Sequence, residues 1–355
     1  MSYADPRARD LGVTPGNGTP GEHNAITDVP GVLVGHKTVI EGDGVRTGAT
    51  AIFPHNTNIY QAKVPAGLSV MNGYGKFAGA TQIEELGELE TPILLTNTLS
   101  VAAGMQALID WTLNQPGNES VRSVNAVVGE TNDGRLNAIR AQTLTPLHMK
   151  AALENAMGGP VPEGNVGAGT GTIAMGWKGG IGTSSRLVDQ WTVGVLVQTN
   201  FGGSFVMDGI PVGDLIGQQG VATDTRVQTT EHGSIVIVLA TDAPLSSRNL
   251  KRLAGRAFAG LARSGANLSN GSGDYAIAFS TAESVRRDKR SAQTLANDEM
   301  TPLFVAAAAA TEEAIVNAAL AAEDMQSHDE ITGELRTVRA LPSAEVKRII
   351  AEYRK

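Results

Sequence analysis

The residues best suited to chemistry are Thr229-Thr-Glu-His-Gly-Ser234, directly ahead of the apolar run Ile235-Val-Ile-Val-Leu-Ala240. A serine that follows glycine and opens a strand suits an N→O acyl shift. Glycine has no Cβ, so the hydroxyl can reach the preceding carbonyl and the peptide can bear strain. Hydrolysis of the resulting ester would cut between Gly233 and Ser234 and free the serine amine. A serine hydroxyl is a weak nucleophile without a base. An α-amine has a pKa of about 7.7–8.0 and is partly neutral near pH 7. It sits on the same residue as the hydroxyl and can take its proton, as a terminal amine does for threonine nucleophiles. The competing reading is an ordinary turn, which Gly and Ser both favour. On this segment alone the turn is the better reading.

A second segment gives the first a partner. Asn270-Gly-Ser-Gly-Asp274 stands just ahead of the apolar run Tyr275-Ala-Ile-Ala-Phe279. Between the two runs, Leu250, Leu253, Ala254, Ala257, Phe258 and Leu261 have helical spacing, with Ser246 or Ser247 as N-cap and Gly265 as the stop. A right-handed strand–helix–strand unit would bring both strand starts to one end of a sheet. Ser234 would then face Ser272 and Asp274, at the amino end of the strands rather than the carboxyl end that doubly wound folds use.

The remaining elements read as mixed. Val32–Val34, Ala49–Phe53, Pro92–Leu95, Val124–Val128 and Thr192–Val197 read as strands. Ser100–Thr112, Thr145–Met157, a stretch from Thr301-Pro302 to about Glu323, and a segment after Ser343 read as helices, two of them with proline in the permitted first turn. Residues 1–23 are polar and rich in Pro and Gly, and read as an arm. No long linker, repeat or low-complexity tract interrupts the rest, which predicts one layered α/β or α+β domain over 1–355.

Composition narrows the chemistry. The 355 residues carry a net charge of -8 and a pI near 5.3, which argues against nucleic-acid and anionic-membrane partners. There is no cysteine, which removes disulfides, thiolate zinc sites and cysteine nucleophiles together. The start has no apolar signal-peptide core and no stretch of ~18 apolar residues stands out, so the expectation is a cytoplasmic protein. G-x-S-x-G, Walker A and H-E-x-x-H sequences are missing. Gly16-Asn-Gly18-Thr-Pro-Gly21 matches a dinucleotide fingerprint in letters only, since it follows no strand and contains Pro20. The six histidines (His23, His36, His55, His148, His232, His328) lack ligand spacing. Asp43 and the Asp329-Glu330 pair read as solvated charges. This reading requires neither cofactor nor metal.

Many ordered segments together resemble the β-peptidyl aminopeptidase / L-aminopeptidase-D-esterase (DmpA-like) family. They are Asn24-Ala-Ile-Thr-Asp-Val-Pro-Gly31 with Val34-Gly-His36, Arg46-Thr-Gly48, and Thr91-Pro-Ile-Leu-Leu-Thr-Asn-Thr-Leu-Ser100. They continue with Val127-Val-Gly-Glu-Thr-Asn-Asp-Gly134, Gly164-Asn-Val-Gly-Ala-Gly-Thr-Gly171, Gln198-Thr-Asn200, His232-Gly-Ser234 and Gly271-Ser-Gly-Asp274. The resemblance implies a four-layer αββα sandwich like that of N-terminal-nucleophile hydrolases, with its own strand connectivity. It implies cleavage into an α chain, 1–233, and a β chain, 234–355, and a homo-oligomer of αβ pairs, commonly four. It implies hydrolysis of the bond after a small N-terminal residue of a short peptide, amide or ester, including β- or D-amino acids. Ser234 would be the nucleophile and its amine the base. Ser272 would bond near that amine, Asp274 would hold the local charge, and the Asn200 amide would donate to the oxyanion. Glu130, which by itself reads as a surface ion pair, would bind the substrate ammonium.

One departure concerns the pocket. A tyrosine is expected near the site, yet none lies between Tyr74 and Tyr275. Arg135 occupies a stretch where an aromatic would be in place, Tyr74 is a possible substitute, and Trp177 or Phe201 are further candidates for the lining. Two rival readings are an acyltransferase of the ornithine-acetyltransferase type and a catalytically silent binding relative. The first ordinarily uses threonine where this chain has Ser234. The retained Ser234, Ser272, Asp274 and Asn200 argue against the second.

Overall fold

A computed structural model describes residues 6–218, 233–287 and 293–355. Two mixed sheets lie face to face. One has five strands in the order Leu33–Glu41, Val45–Phe53, Ile93–Asn97, Val127–Thr131, Phe77–Ala78. The other has six, in the order Ile181–Val188, Trp191–Asn200, Ser234–Thr241, Gly273–Ser280, Val64–Gly73, Glu88–Leu89. Strands from before and after residue 233 are neighbours in the second sheet, so one sandwich is built from both sides of that bond.

The four layers follow from the two-residue period of strands that are buried on both faces. In the Ser234–Thr241 strand, Val236, Val238 and Ala240 point between the sheets, where they meet Ile52, Ile93, Leu95 and Val127. Ile235, Ile237 and Leu239 point the other way, onto the helices Ser247–Arg263 and Met300–Leu320. The outer face of the first sheet packs Ala49, Ala51, Leu94 and Val128 against the helices Val101–Leu113 and Pro146–Glu154. The order is therefore helices, sheet, sheet, helices, as the resemblance implied.

The alanine-rich helix Met300–Leu320 lies in a segment, Asn297–Leu320, that is long and apolar enough to cross a bilayer by length and composition. It is a core helix, with nearly every residue from Ala306 onward buried. Its small side chains allow close approach: a Cβ on Gly182 would meet the Ala314 carbonyl oxygen at 2.0 Å. A helix that is apolar all round needs such cover on every side.

Four expectations change. Residues 6–23 are not a solvated arm, because Ala8, Leu11 and Val13 are buried in the core and the Ala8 N–H donates to Asn317 Oδ1 at 2.9 Å. The helix expected to reach Met157 ends at Glu154, because the Met157 backbone bonds to Val34 at 3.0 Å instead. The strand expected from Val124 starts at Val127, since the Asn125 N–H is engaged by Glu90 at 2.6 Å. Asp329 is a partner of Arg336 at 2.5 Å rather than a freely solvated charge.

One ion cluster ties the N-terminal segment to the core helix. Buried Glu313 accepts from Arg186 and Asn24 at 2.6 Å each and from Arg9 at 2.9 Å. Arg186 and Glu313 have side chains 1% and 0% exposed. Removing one partner of such a pair leaves an uncompensated buried charge, at a cost of about 3–5 kcal/mol. Glu313→Ala is therefore expected to lower the unfolding free energy by about that amount, read as a fall in the urea midpoint.

Candidate active site

Ser234 stands at the first position of its strand, with Asn200 beside it on the antiparallel neighbour and Gly273 on the parallel one. The helix Ser247–Arg263 is the crossover between the two parallel strands. The expected juxtaposition is therefore present: Ser234, Ser272 and Asp274 share one end of the sheet.

The Ser234 hydroxyl donates to the Gly233 carbonyl oxygen at 2.6 Å. The Gly273 N–H donates to that same carbonyl at 3.1 Å and lies 3.3 Å from the hydroxyl oxygen. The hydroxyl thus rests on its own preceding peptide, and the carbonyl has a backbone donor where negative charge would develop during attack. A Cβ at Gly233 would fall 2.8 Å from Phe201 Cα, which gives a packing reason for glycine there. Thr229 to His232 lie outside the described residues.

Ser272 donates to Asp274 Oδ1 at 2.5 Å. The other oxygen, Oδ2, is buried without a hydrogen-bond partner among the described residues. Burial raises the Asp274 pKa above the usual carboxylate value, and the Ser272 hydrogen bond opposes that rise. On the other flank, Asn200 is fixed at both ends of its amide. Its Oδ1 accepts from the Ile173 N–H at 3.0 Å and its Nδ2 donates to the Asn132 carbonyl at 3.0 Å.

Asn132 belongs to a turn held from behind. Its neighbour Asp133 is buried and accepts from Thr47 at 2.6 Å and Asn137 at 2.9 Å. Burial pushes the Asp133 pKa up to about 7 despite these donors. Lys178, equally buried, donates to the carbonyls of Gly169 and Gly179 at 2.9 and 2.8 Å. Burial pulls its pKa down to about 7, with Asp133 opposing.

Glu130 is not a surface residue, being 2% exposed. It accepts from the Lys76 N–H at 2.8 Å and from the Thr98 hydroxyl, and the Lys76 ammonium is 3.9 Å away. A cavity of about 650 Å³ brings these groups together, with Glu130, Ser234, Asn200, Tyr74, Arg135 and Phe201 in its wall. Trp177, by contrast, is buried in the hydrophobic core. Sequence reasoning missed Lys76, Thr98, Asn132 and Arg336, which also line the cavity. Thr98 and Asn132 lie within segments that resemble the family and follow strand ends, which is the one signal that marks them.

With this geometry described, comparison with known proteins decides the family. The sequence model of peptidase family S58 matches residues 24–332. The chain belongs to peptidase family S58. A β-peptidyl aminopeptidase, BapA, from Sphingosinicella microcystinivorans is 42% identical over all of this chain and 94% of its own. The solved β-aminopeptidase of a Burkholderia species is 41% identical, with a TM-score of 0.88 over 98% of this chain and 99% of its own. The L-aminopeptidase D-Ala-esterase/amidase of Ochrobactrum anthropi, described as a prototype for the serine aminopeptidases and a variant of the N-terminal-nucleophile hydrolase fold, is 37% identical. Its TM-score is 0.88 over 98% of this chain and 99% of its own. This S58 chain has that fold and is a serine aminopeptidase.

The Ser272–Asp274 contact yields a titration test. Folded Asp274 holds its proton above the ordinary carboxylate pKa. Its contribution to stability is thus fully present below that ordinary value and is lost as pH rises through the folded pKa. Ser272→Ala removes the hydrogen bond that favours the ionised form, so the Asp274 pKa should rise further and this window should extend upward. A ¹³C NMR titration of the carboxyl group checks the direction.

Proposed function

We propose that this S58 peptidase cuts its own chain between Gly233 and Ser234 and then uses Ser234, as a chain terminus, to remove small N-terminal residues from short peptides, amides or esters. The observation that carries the proposal is the Ser234 hydroxyl on the Gly233 carbonyl, with the Gly273 N–H donating to the same oxygen. In processing, the Ser234 oxygen attacks the Gly233 carbonyl carbon and the Gly233–Ser234 C–N bond breaks. Water then hydrolyses the ester, leaving a Gly233 carboxylate and a free Ser234 amine. The products are an α chain, 1–233, and a β chain, 234–355.

In turnover, the Ser234 amine takes the hydroxyl proton as the oxygen attacks the substrate carbonyl and returns it to the leaving amine as that C–N bond breaks; water then hydrolyses the acyl ester, releasing the N-terminal residue and restoring Ser234. The Asn200 Nδ2, held by Asn132 and adjacent to Ser234 in the sheet, supports a role as oxyanion donor. Ser272, just ahead of the neighbouring strand, and Asp274, within it, supply a hydroxyl and a buried carboxylate to the new amine. Glu130 pairs with the substrate ammonium, which restricts cleavage to the bond after the first residue. The names of the relatives support substrates that begin with a β- or a D-amino acid. A homo-oligomer of αβ pairs, four in number, belongs to the same proposal. Exposed Val70, Met71 and Tyr74, consecutive or nearly so at one strand end, supply apolar surface for such contacts.

Kinetics separate these roles. H-β-Ala p-nitroanilide should be hydrolysed and its N-acetyl form should not, because acetylation removes the charge that Glu130 pairs with. Asn200→Ala should lower kcat by about 10²–10³-fold with little change in KM, as expected for an oxyanion donor. Equal turnover of the N-acetyl substrate, or an Asn200→Ala effect confined to KM, would contradict the assignments.

A further inference from the structure

The cavity that holds Ser234 is not lined by one kind of charge. Among the described residues its one lining carboxylate is Glu130, flanked by Lys76, while two guanidinium groups, Arg135 and Arg336, also line it. These groups belong to different walls. Glu130 is held by Lys76 and Thr98, near the end of the Val127–Thr131 strand. Arg135 follows the Asn132–Gly134 turn, and Arg336 projects from the C-terminal hairpin Met325–His328 and Leu335–Val338. Leu136, Ile173 and Val338 pack together and fix that hairpin to the turn. Asn200, bonded to both Asn132 and Ile173, ties the same wall to Ser234.

The two arginines are held as a pair. Arg336 Nη1 donates to the Arg135 carbonyl at 3.1 Å and Nη2 is 2.5 Å from Asp329. Burial and the nearby Arg336 charge both hold the Arg135 pKa below its usual value. Among the described residues, two guanidinium groups against the one carboxylate of Asp329 give this wall an excess of positive charge. A planar guanidinium suits a carboxylate, which it can bind through two parallel hydrogen bonds.

We propose that Arg135 and Arg336 bind the free carboxylate of the leaving group, so that the preferred substrates are dipeptides and other short peptides with an unblocked C-terminus. The proposal rests on the aminopeptidase site described above and adds a specificity to it. With the substrate ammonium on Glu130 and its carbonyl at Ser234, the leaving amino acid and its carboxylate remain inside the cavity that both arginines line. A cavity of about 650 Å³ suits a ligand of this size.

The test compares H-β-Ala-L-Leu-OH with its C-terminal amide, H-β-Ala-L-Leu-NH₂, which differs only in that charge. The wild-type enzyme should favour the acid in kcat/KM by about tenfold or more, the usual worth of a charge-assisted hydrogen bond. Arg336→Gln and Arg135→Gln should each lower that ratio several-fold, chiefly through the KM of the acid. Arg336→Lys, which keeps the charge but not the fork, should give an intermediate ratio. A denaturing gel confirms that each variant has processed its chain. A wild-type ratio near one, with H-β-Ala p-nitroanilide still cleaved, would overturn the carboxylate clamp alone. So would variants that slow acid and amide by the same factor. A wild-type enzyme that cleaves none of the three substrates would overturn the functional reading and the clamp with it.

Discussion

The arrangement depends on one parallel strand pairing. Ser234 and Gly273 stand opposite each other at the starts of adjacent strands. The ladder bond between them, Gly273 N–H to Gly233 carbonyl, is an ordinary sheet hydrogen bond. Here it also polarises the peptide group to which the Ser234 hydroxyl donates. The same pairing sets Ser272 and Asp274 at the strand start that Ser234 occupies, because they flank Gly273 in sequence. A one-residue slip would turn the strand's buried side chains to the wrong faces and take Gly273 away from Ser234. The register is secured by burial on both faces: Val236 and Val238 fill the space between the sheets while Ile235 and Ile237 meet the helices.

From that pairing the other parts of the site follow outward. The antiparallel neighbour supplies Asn200 next to Ser234, and Asn200 is fixed by the Asn132 turn and by Ile173. The turn is anchored from behind by buried Asp133, and Glu130 precedes it at the end of its strand. Each functional side chain is thus held by a strand end or by a turn bonded to one. Rigid backbone of this kind suits a reaction in which oxyanion donor, nucleophile and base must be in place beforehand.

Much of this was legible in the residues, and the failures have physical causes. The apolar runs 235–240 and 275–279 with an amphipathic helix between them announced the parallel unit, and the turn signals at 270–274 placed its start. The strand Ile181–Val188 was missed because its buried residues include Thr183, Ser184, Ser185 and Arg186, which are held by hydrogen bonds rather than by apolarity. Val64–Gly73 was missed because Pro65, Gly67 and Gly73 mask its alternation, although Gly67 is small for a reason: a Cβ there would meet Lys251 N at 2.2 Å. Residues 6–23 read as a free arm because polarity hides Ala8, Leu11 and Val13, which the core takes up. Arg336 could not be found from local pattern, since only the tertiary fold brings the C-terminal hairpin to the cavity. Glu130 was recognised by resemblance. Its burial, which distinguishes it from a surface ion pair, is a property of the folded chain alone.

Processing and catalysis are one device in this account, because cutting the chain creates the amine that serves as base. The most direct measurement is a time course of intact mass and aminopeptidase activity on freshly synthesised chain. The account predicts that species of residues 1–233 and 234–355 appear together, that activity rises in step with them, and that Ser234→Ala remains a single inactive chain. Full activity in an uncut wild-type chain, or a cut at another bond in the active enzyme, would contradict it.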